Sequence, residues 1–185
     1  MIRDTLNDAE ERMGKAMDAL KRDLNTIRTG RAAPSLLDRI TVEYYGAPTP
    51  LIQLAGITAP EARMLVIQPY DRSTLGLIEK AILKSDLGVQ PNNDGQQIRI
   101  NIPPLTEERR KQFVKQVHGH VEESKVAVRN IRRDSLNHIH KLATDKQISE
   151  DEERRAGTQL DEIVKRYIDE ADKIGKHKEH EVLEV

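Results

Sequence analysis

The period of the apolar residues changes twice along this chain, from helical to strand-like and back. Apolar residues recur at steps of three and four over residues 2–27, 106–146 and 149–174, which is typical of amphipathic α-helices. Residues 30–105 instead contain short segments in which apolar and polar residues alternate, as in β-strands. The pattern predicts one helical domain with a second domain inserted into it.

Each of the three helical stretches has one apolar stripe. The first is expected to end at Thr29-Gly30, since glycine is common just past a helix terminus. The second runs from Thr106 to about Lys146, with Ser124 as a polar gap in its stripe. Ser149 and Glu152 form a capping-box pattern at the start of the third. Three such helices predict an elongated three-helix bundle.

The inserted segment has the pattern of a small β/α/β sandwich, which makes the fold class α+β. Strands are predicted around residues 40–44, 64–67 and 98–102, and a single short helix over residues 73–84 is expected to cover the sheet. The Gly/Pro-rich cluster at 46–50 and the Pro/Asn/Gly-rich cluster at 91–95 are expected to be turns.

The chain crosses between the two predicted domains twice. The helical domain is predicted to comprise residues 1–29 and 106–185, and the inserted domain residues 30–105. Glycine tolerates unusual backbone angles, and a proline pair cannot continue a helix. We therefore expect hinges at about 29–31 and 103–106. The hinge residues are Gly30, Arg31, Pro103, Pro104, Leu105 and Thr106.

Composition excludes several classes of function. The chain has no cysteine, so disulfides, thiolate nucleophiles and cysteine-based zinc sites are excluded. Neither a signal peptide nor an apolar run of the ~18 residues that a membrane span needs is present, so we expect a soluble cytoplasmic protein. The net charge is −1, but residues 105–146 carry ten Lys/Arg against six Asp/Glu, whereas residues 147–185 carry seven against twelve.

The positive charge of the second helix falls on one side of it. At ~100° per residue, seven basic side chains fall in one sector beside the apolar stripe, interrupted only by Glu122, and are expected to face outward together. We call them the basic row: Lys111, Lys115, His118, Lys125, Arg129, Arg132 and Arg133. A rigid row of guanidinium groups suits nucleic-acid phosphates. The alternative is that the row solvates the helix or pairs with the acidic third helix.

Four more arginines flank the two crossings: Arg28, Arg31, Arg109 and Arg110. They either add to a phosphate-binding surface or complement helix ends and pair with Glu107 and Glu108. The second helix has no aromatic residue apart from Phe113 on its buried side. Stacking on single-stranded bases is therefore not expected, and a nucleic-acid partner would be folded RNA or a duplex.

The sequence shows no catalytic or metal-binding motif. His118 with His120, and His138 with His140, are two residues apart and point to different faces of a helix. His177 and His180 could converge near Glu181, but an exposed C-terminal end is the simpler interpretation, and no metal is expected. No phosphate-binding loop or nucleophile elbow is present, so we expect neither a cofactor nor enzymatic activity. An adaptor whose charged helices bind protein partners is the rival class.

Five segments spread over nearly the whole chain closely resemble the bacterial ribosome recycling factor family. They are residues 27–35 (IRTGRAAPS), 44–51 (YYGAPTPL), 85–88 (SDLG), 103–110 (PPLTEERR) and 126–134 (VAVRNIRRD). The resemblance implies an L-shaped, tRNA-like outline. It also implies a monomer that binds large-subunit rRNA after termination and, with elongation factor G and GTP, splits the ribosome into subunits, releasing mRNA and deacylated tRNA.

The resemblance also assigns roles by position. Arg129 and Arg132 match the principal arginines that face ribosomal RNA, and Arg110 and Arg28 match supporting contacts. With their neighbours, the expected rRNA-binding residues are Arg132, Arg129, Arg133, Arg110, Arg28 and Lys125. The chain has His138 and His140 where the family often has lysines, which lowers the positive charge beyond the arginines.

Overall fold

Internal contacts divide the chain into two compact units in the computed structural model, which describes residues 1–184. Unit 1 consists of Met1–Arg28 and Glu107–Glu184, and unit 2 of Thr29–Thr106. The boundaries expected from the sequence differ from this division by one residue at each crossing. No helix within residues 1–184 is both long and apolar enough to cross a membrane.

Unit 1 is a bundle of three helices, as the apolar stripes predicted. They are α1 (Ile2–Asn25), α4 (Glu107–Thr144) and α5 (Glu150–Leu183), numbered in chain order. Helix α1 ends four residues before the predicted Thr29, although Ile27 still packs in the core. The stripe of α4 is buried along its length from Val117 to Leu142.

Polar groups in and around this core find partners. Ser124, the gap in the α4 stripe, is buried and donates a hydrogen bond to the Val121 carbonyl at 2.6 Å. The capping box of α5 is confirmed, because Glu152 N donates to Ser149 Oγ at 3.1 Å and Ser149 N donates to Glu152 Oε2 at 2.8 Å. The two bonds of the capping box satisfy backbone N–H groups that the start of a helix would otherwise leave unpaired.

Unit 2 contains two antiparallel sheets and a covering helix around one apolar core. The elements are β1 (Thr41–Tyr44), β2 (Ala47–Pro50), α2 (Leu51–Leu54), β3 (Ala55–Glu61), β4 (Met64–Pro69), α3 (Leu75–Lys84), β5 (Pro91–Asn93) and β6 (Ile98–Asn101). Strands β1 and β2 form a hairpin, and the second sheet has the order β3-β4-β6-β5. The core takes side chains from both sheets and from α3.

The structure corrects two predicted turns and the number of helices in unit 2. In the 46–50 cluster only Gly46 belongs to the turn, and the remaining residues form β2. Likewise, β5 lies inside the 91–95 cluster and pairs with β6. Both β2 and β5 are edge strands, where proline is tolerated because it need not donate to a neighbouring strand. The one-turn helix α2 and two 3₁₀ turns accompany the predicted helix.

Candidate nucleic-acid interface

Three members of the basic row, spaced seven residues apart, each lie against an acidic residue of α5. Arg132 Nε lies 2.8 Å from Asp161 Oδ1, and Lys125 Nζ lies 2.5 Å from Asp172 Oδ1. His118 Nε2 is 3.2 Å from Glu179 Oε2. Because α4 and α5 run antiparallel, the α4 numbers rise as their α5 partners' numbers fall. The heptad spacing therefore places a series of polar contacts, two of them ion pairs, along the edge of the helix interface, as charged residues do beside coiled-coil seams.

The predicted common outward orientation of the basic row is therefore wrong for Lys125. The Lys125 side chain is only 18% exposed and that of Arg132 41%. Both lie beside α5, so the alternative in which cations pair with the acidic third helix is confirmed for these two. Their positions are consequently fixed by carboxylates on a neighbouring helix.

The other two arginines of the basic row, Arg129 and Arg133, have partners on their own helix. Arg129 is 56% exposed and pairs with Glu122 Oε1 of its own helix at 3.2 Å. Arg133 is also exposed, and its Nη2 donates to Asn130 Oδ1 at 3.3 Å. Exposed pairs of this kind contribute only about 0–1 kcal/mol. An incoming phosphate could therefore displace Glu122 or Asn130 at little cost.

The four arginines that flank the two crossings differ in their burial. One guanidinium nitrogen of Arg28 and one of Arg110 are buried without a hydrogen-bond partner among residues 1–184. A buried unsatisfied donor typically costs about 1–3 kcal/mol. The two residues as a whole are half-buried. Arg31 and Arg109 are exposed, and each has an interaction partner. Glu107 lies 3.5 Å from Lys111 Nζ on the same helix.

The two ends of unit 2 meet at Gly30 and Leu105. Gly30 has φ +78°, and a Cβ atom there would lie 3.3 Å from Leu105 Cγ. Just inside these residues, Ala32 N donates to Ala62 O and Ile102 N donates to Arg63 O, both at 2.7 Å. Thus the chain enters and leaves unit 2 at adjacent points. Pro103 and Pro104 are exposed.

The histidines near the C-terminus are exposed, as the simpler interpretation of the sequence has it. His177 Nε2 lies 3.0 Å from Glu181 Oε1. His118 and His120 do face different helices, His118 toward α5 and His120 toward Asp23 of α1. His140 Nδ1 lies 2.8 Å from Glu153 Oε1 of α5.

Comparison with known proteins gives consistent matches over the full chain. Residues 20–183 match the family model for Ribosome recycling factor. The ribosome-recycling factors of Thermomicrobium roseum and Shouchella clausii are 58% and 56% identical to the chain, each over 100% of both sequences.

Solved structures agree with these sequence matches. A solution structure of the ribosome recycling factor superimposes with TM-score 0.73 at 41% identity, covering 100% of this chain and 98% of the other. A second similar chain comes from models of the T. thermophilus ribosome recycling factor and the E. coli elongation factor G bound to the E. coli post-termination complex. It has TM-score 0.63, 46% identity and 99% coverage of both chains.

Proposed function

The chain belongs to the ribosome recycling factor family, and we propose that it splits the post-termination ribosome into its subunits together with elongation factor G and GTP. Splitting releases mRNA and deacylated tRNA for a new round of initiation. The partners are the large ribosomal subunit with its rRNA and elongation factor G, which hydrolyses the GTP. The place of action is the cytoplasm.

The observation that carries the proposal is the arrangement of arginines on one 38-residue helix. Such a helix is about 57 Å long and is held by two other helices, so its side chains keep fixed spacings. Arg129 and Arg133 are exposed, with weak partners on their own helix. The supported helix fixes the spacing of these cations, which suits the regularly spaced phosphates of folded RNA.

Arg132 has a different part in this interface. Asp161 accepts a hydrogen bond from Nε, while the two Nη groups of the guanidinium fork would meet a phosphate. The carboxylate orients the fork and removes part of the entropy that a free side chain would lose on binding. Lys125 is placed by Asp172 in the same way. Arg28 and Arg110, which are half-buried, would add further positive charge.

The mechanism is mechanical rather than chemical. Unit 1 is anchored to rRNA phosphates, and elongation factor G displaces unit 2 about the two crossings. Gly30 and Leu105 bring those crossings together, so both can bend at one place. Contacts between the ribosomal subunits are broken by displacement, and this chain catalyses no reaction itself.

Light scattering tests the proposal directly. Post-termination ribosomes mixed with the purified chain, elongation factor G and GTP should dissociate, giving a fall in scattering. Omission of any one component should abolish the fall, and the chain alone should not hydrolyse GTP. An adaptor for other proteins would leave scattering unchanged and would not co-sediment with ribosomes at low salt.

A further inference from the structure

A group of three possible metal ligands lies on the side of the bundle formed by α1 and α4. The ligand atoms of Asp23, His120 and Glu123 all lie within 4.8 Å of one another. His120 Nδ1 is 3.7 Å from Asp23 Oδ2 and 3.7 Å from Glu123 Oε2. Both distances are too long for a hydrogen bond. The imidazole nitrogen therefore faces two carboxylate oxygens without bonding to either.

The unpartnered nitrogen is the second feature of this group. His120 Nδ1 is buried and has no hydrogen-bond partner among residues 1–184, although the side chain as a whole is 32% exposed. Buried imidazole nitrogens normally have a partner. A cation between the three groups would supply one.

We propose that Asp23, His120 and Glu123 bind a divalent transition-metal ion of the zinc class. Imidazole nitrogen and carboxylate oxygens bind zinc at about 2.0–2.2 Å, which puts tetrahedral ligands about 3.4 Å apart. The two 3.7 Å separations are only a few tenths of an ångström longer. The Asp23 and Glu123 side chains are exposed and can rotate inward. Water would complete the tetrahedron.

The position of Asp23 also favours a cation. It lies in the last turn of α1, which ends at Asn25, where the helix dipole is negative and a carboxylate is unfavourable. A bound metal ion would neutralise that charge. It would also join the end of α1 to the middle of α4, because the other two ligands come from α4.

Titration of the metal-free chain with Zn²⁺ tests the site, with calorimetry as the readout. We expect one Zn²⁺ per chain, and His120→Ala should weaken binding by at least about 30-fold, or ~2 kcal/mol. Asp23→Asn and Glu123→Gln should each weaken it by about tenfold. His118→Ala is the matched control, since His118 is on the same helix but pairs with Glu179. It should bind Zn²⁺ as the wild type does.

Two further readouts do not depend on ribosomes. Co²⁺ bound to the wild type should show the intense visible absorption of a tetrahedral site, and His120→Ala should lose it. Zn²⁺ should raise the thermal midpoint of the wild type but not of His120→Ala, because a ligand stabilises only the state that binds it. The proposal is overturned if the wild type binds no Zn²⁺ at micromolar concentration, if His120→Ala binds normally, or if a His177→Ala/His180→Ala variant alone abolishes binding.

Discussion

Arg132 Nε donates a hydrogen bond to Asp161 Oδ1 across the interface between α4 and α5, at 2.8 Å. If this contact only stabilised the bundle, removing either partner would have the same small effect, within about 1 kcal/mol. In our account the two residues differ, since Arg132 also meets a phosphate and Asp161 does not.

Asp161→Asn and Arg132→Gln should therefore behave differently on ribosomes. Asp161→Asn keeps the cation and an amide oxygen that can still accept a hydrogen bond from Nε, so the guanidinium stays oriented and binding to large subunits should be close to that of the wild type. Arg132→Gln should bind more weakly at equal fold stability. Equilibrium binding to isolated large subunits, with denaturant unfolding of both variants as the control, makes the comparison. Equal binding by the two variants would assign Arg132 a structural role only.

The exposed arginines should determine the salt dependence of binding. Each phosphate that a protein neutralises contributes about −0.9 to the slope of log K against log salt concentration. Arg129→Gln and Arg133→Gln should each reduce the magnitude of that slope by about one. Arg154→Gln is the control, because Arg154 is an exposed cation of α5 paired with Asp151, outside the basic row. A slope that neither arginine variant changes would argue against phosphate contact.

Substitution of Gly30 should be harmful because of both its positive φ and the nearby Leu105 side chain. Alanine at φ +78° is strained by about 1–2 kcal/mol, and its Cβ would press on Leu105. We expect Gly30→Ala to reduce the rate of ribosome splitting more than it reduces ribosome binding. Gly88→Ala shares the positive φ but meets no atom within 4 Å, so it should lower stability without this selective effect. Equal loss of splitting and binding by Gly30→Ala would contradict a hinge.

Gly175 of α5 lies where this helix approaches α4 too closely for a larger side chain. A Cβ atom at this position would lie 2.5 Å from Val121 Cγ2. Alanine normally favours a helix over glycine by about 1 kcal/mol, but the overlap should cost about 1–3 kcal/mol, so Gly175→Ala should be destabilising. Gly119→Ala, also helical but with nothing within 4 Å, should be stabilising. Denaturant unfolding should give ΔΔG values of opposite sign, and the same sign for both would be contrary to this packing.

Two aspartates of unit 2 should contribute to its acid sensitivity. The pKa of Asp94 is lowered by hydrogen bonds from the backbone N–H groups of Gln97 and Gln96. The pKa of Asp71 is lowered by hydrogen bonds from the backbone N–H and the side chain of Ser73. A lowered folded-state pKa gives stability that is present above the unfolded value of 3.8 and lost as pH falls through the folded value. Asp94→Asn should therefore flatten the dependence of the thermal midpoint on pH below about 4. An unchanged dependence would mean that these bonds do not favour the charged form.

The helices were predictable from the sequence because burial of one stripe imposes the helical period on each. Residues Val117 to Leu142 and the Ser149 cap lie as expected. The strands β2 and β5 were not predictable, because their proline and asparagine residues are typical of turns. Both lie at sheet edges, where a turn-like composition costs little.

The orientation of the basic row could not be predicted from α4 alone, because it depends on which residues of α5 lie beside it. Projection of α4 alone places Lys125 and Arg132 in the same sector as Arg129. The register of α5 decides that Asp172 and Asp161 lie beside the first two. The spacing of seven between His118, Lys125 and Arg132 did not identify their partners, because Asp161, Asp172 and Glu179 on α5 are 11 and 7 residues apart. The site near Asp23 was missed because its ligands come from two helices distant in sequence.

Replacing Arg129, Arg132 and Arg133 together by glutamine tests the central claim most directly. The bundle should still fold, since these side chains lie outside its core. We predict that post-termination ribosomes mixed with this variant, elongation factor G and GTP will show no fall in light scattering, while the wild type dissociates them. Dissociation by the folded variant at the wild-type rate would contradict anchoring through these arginines.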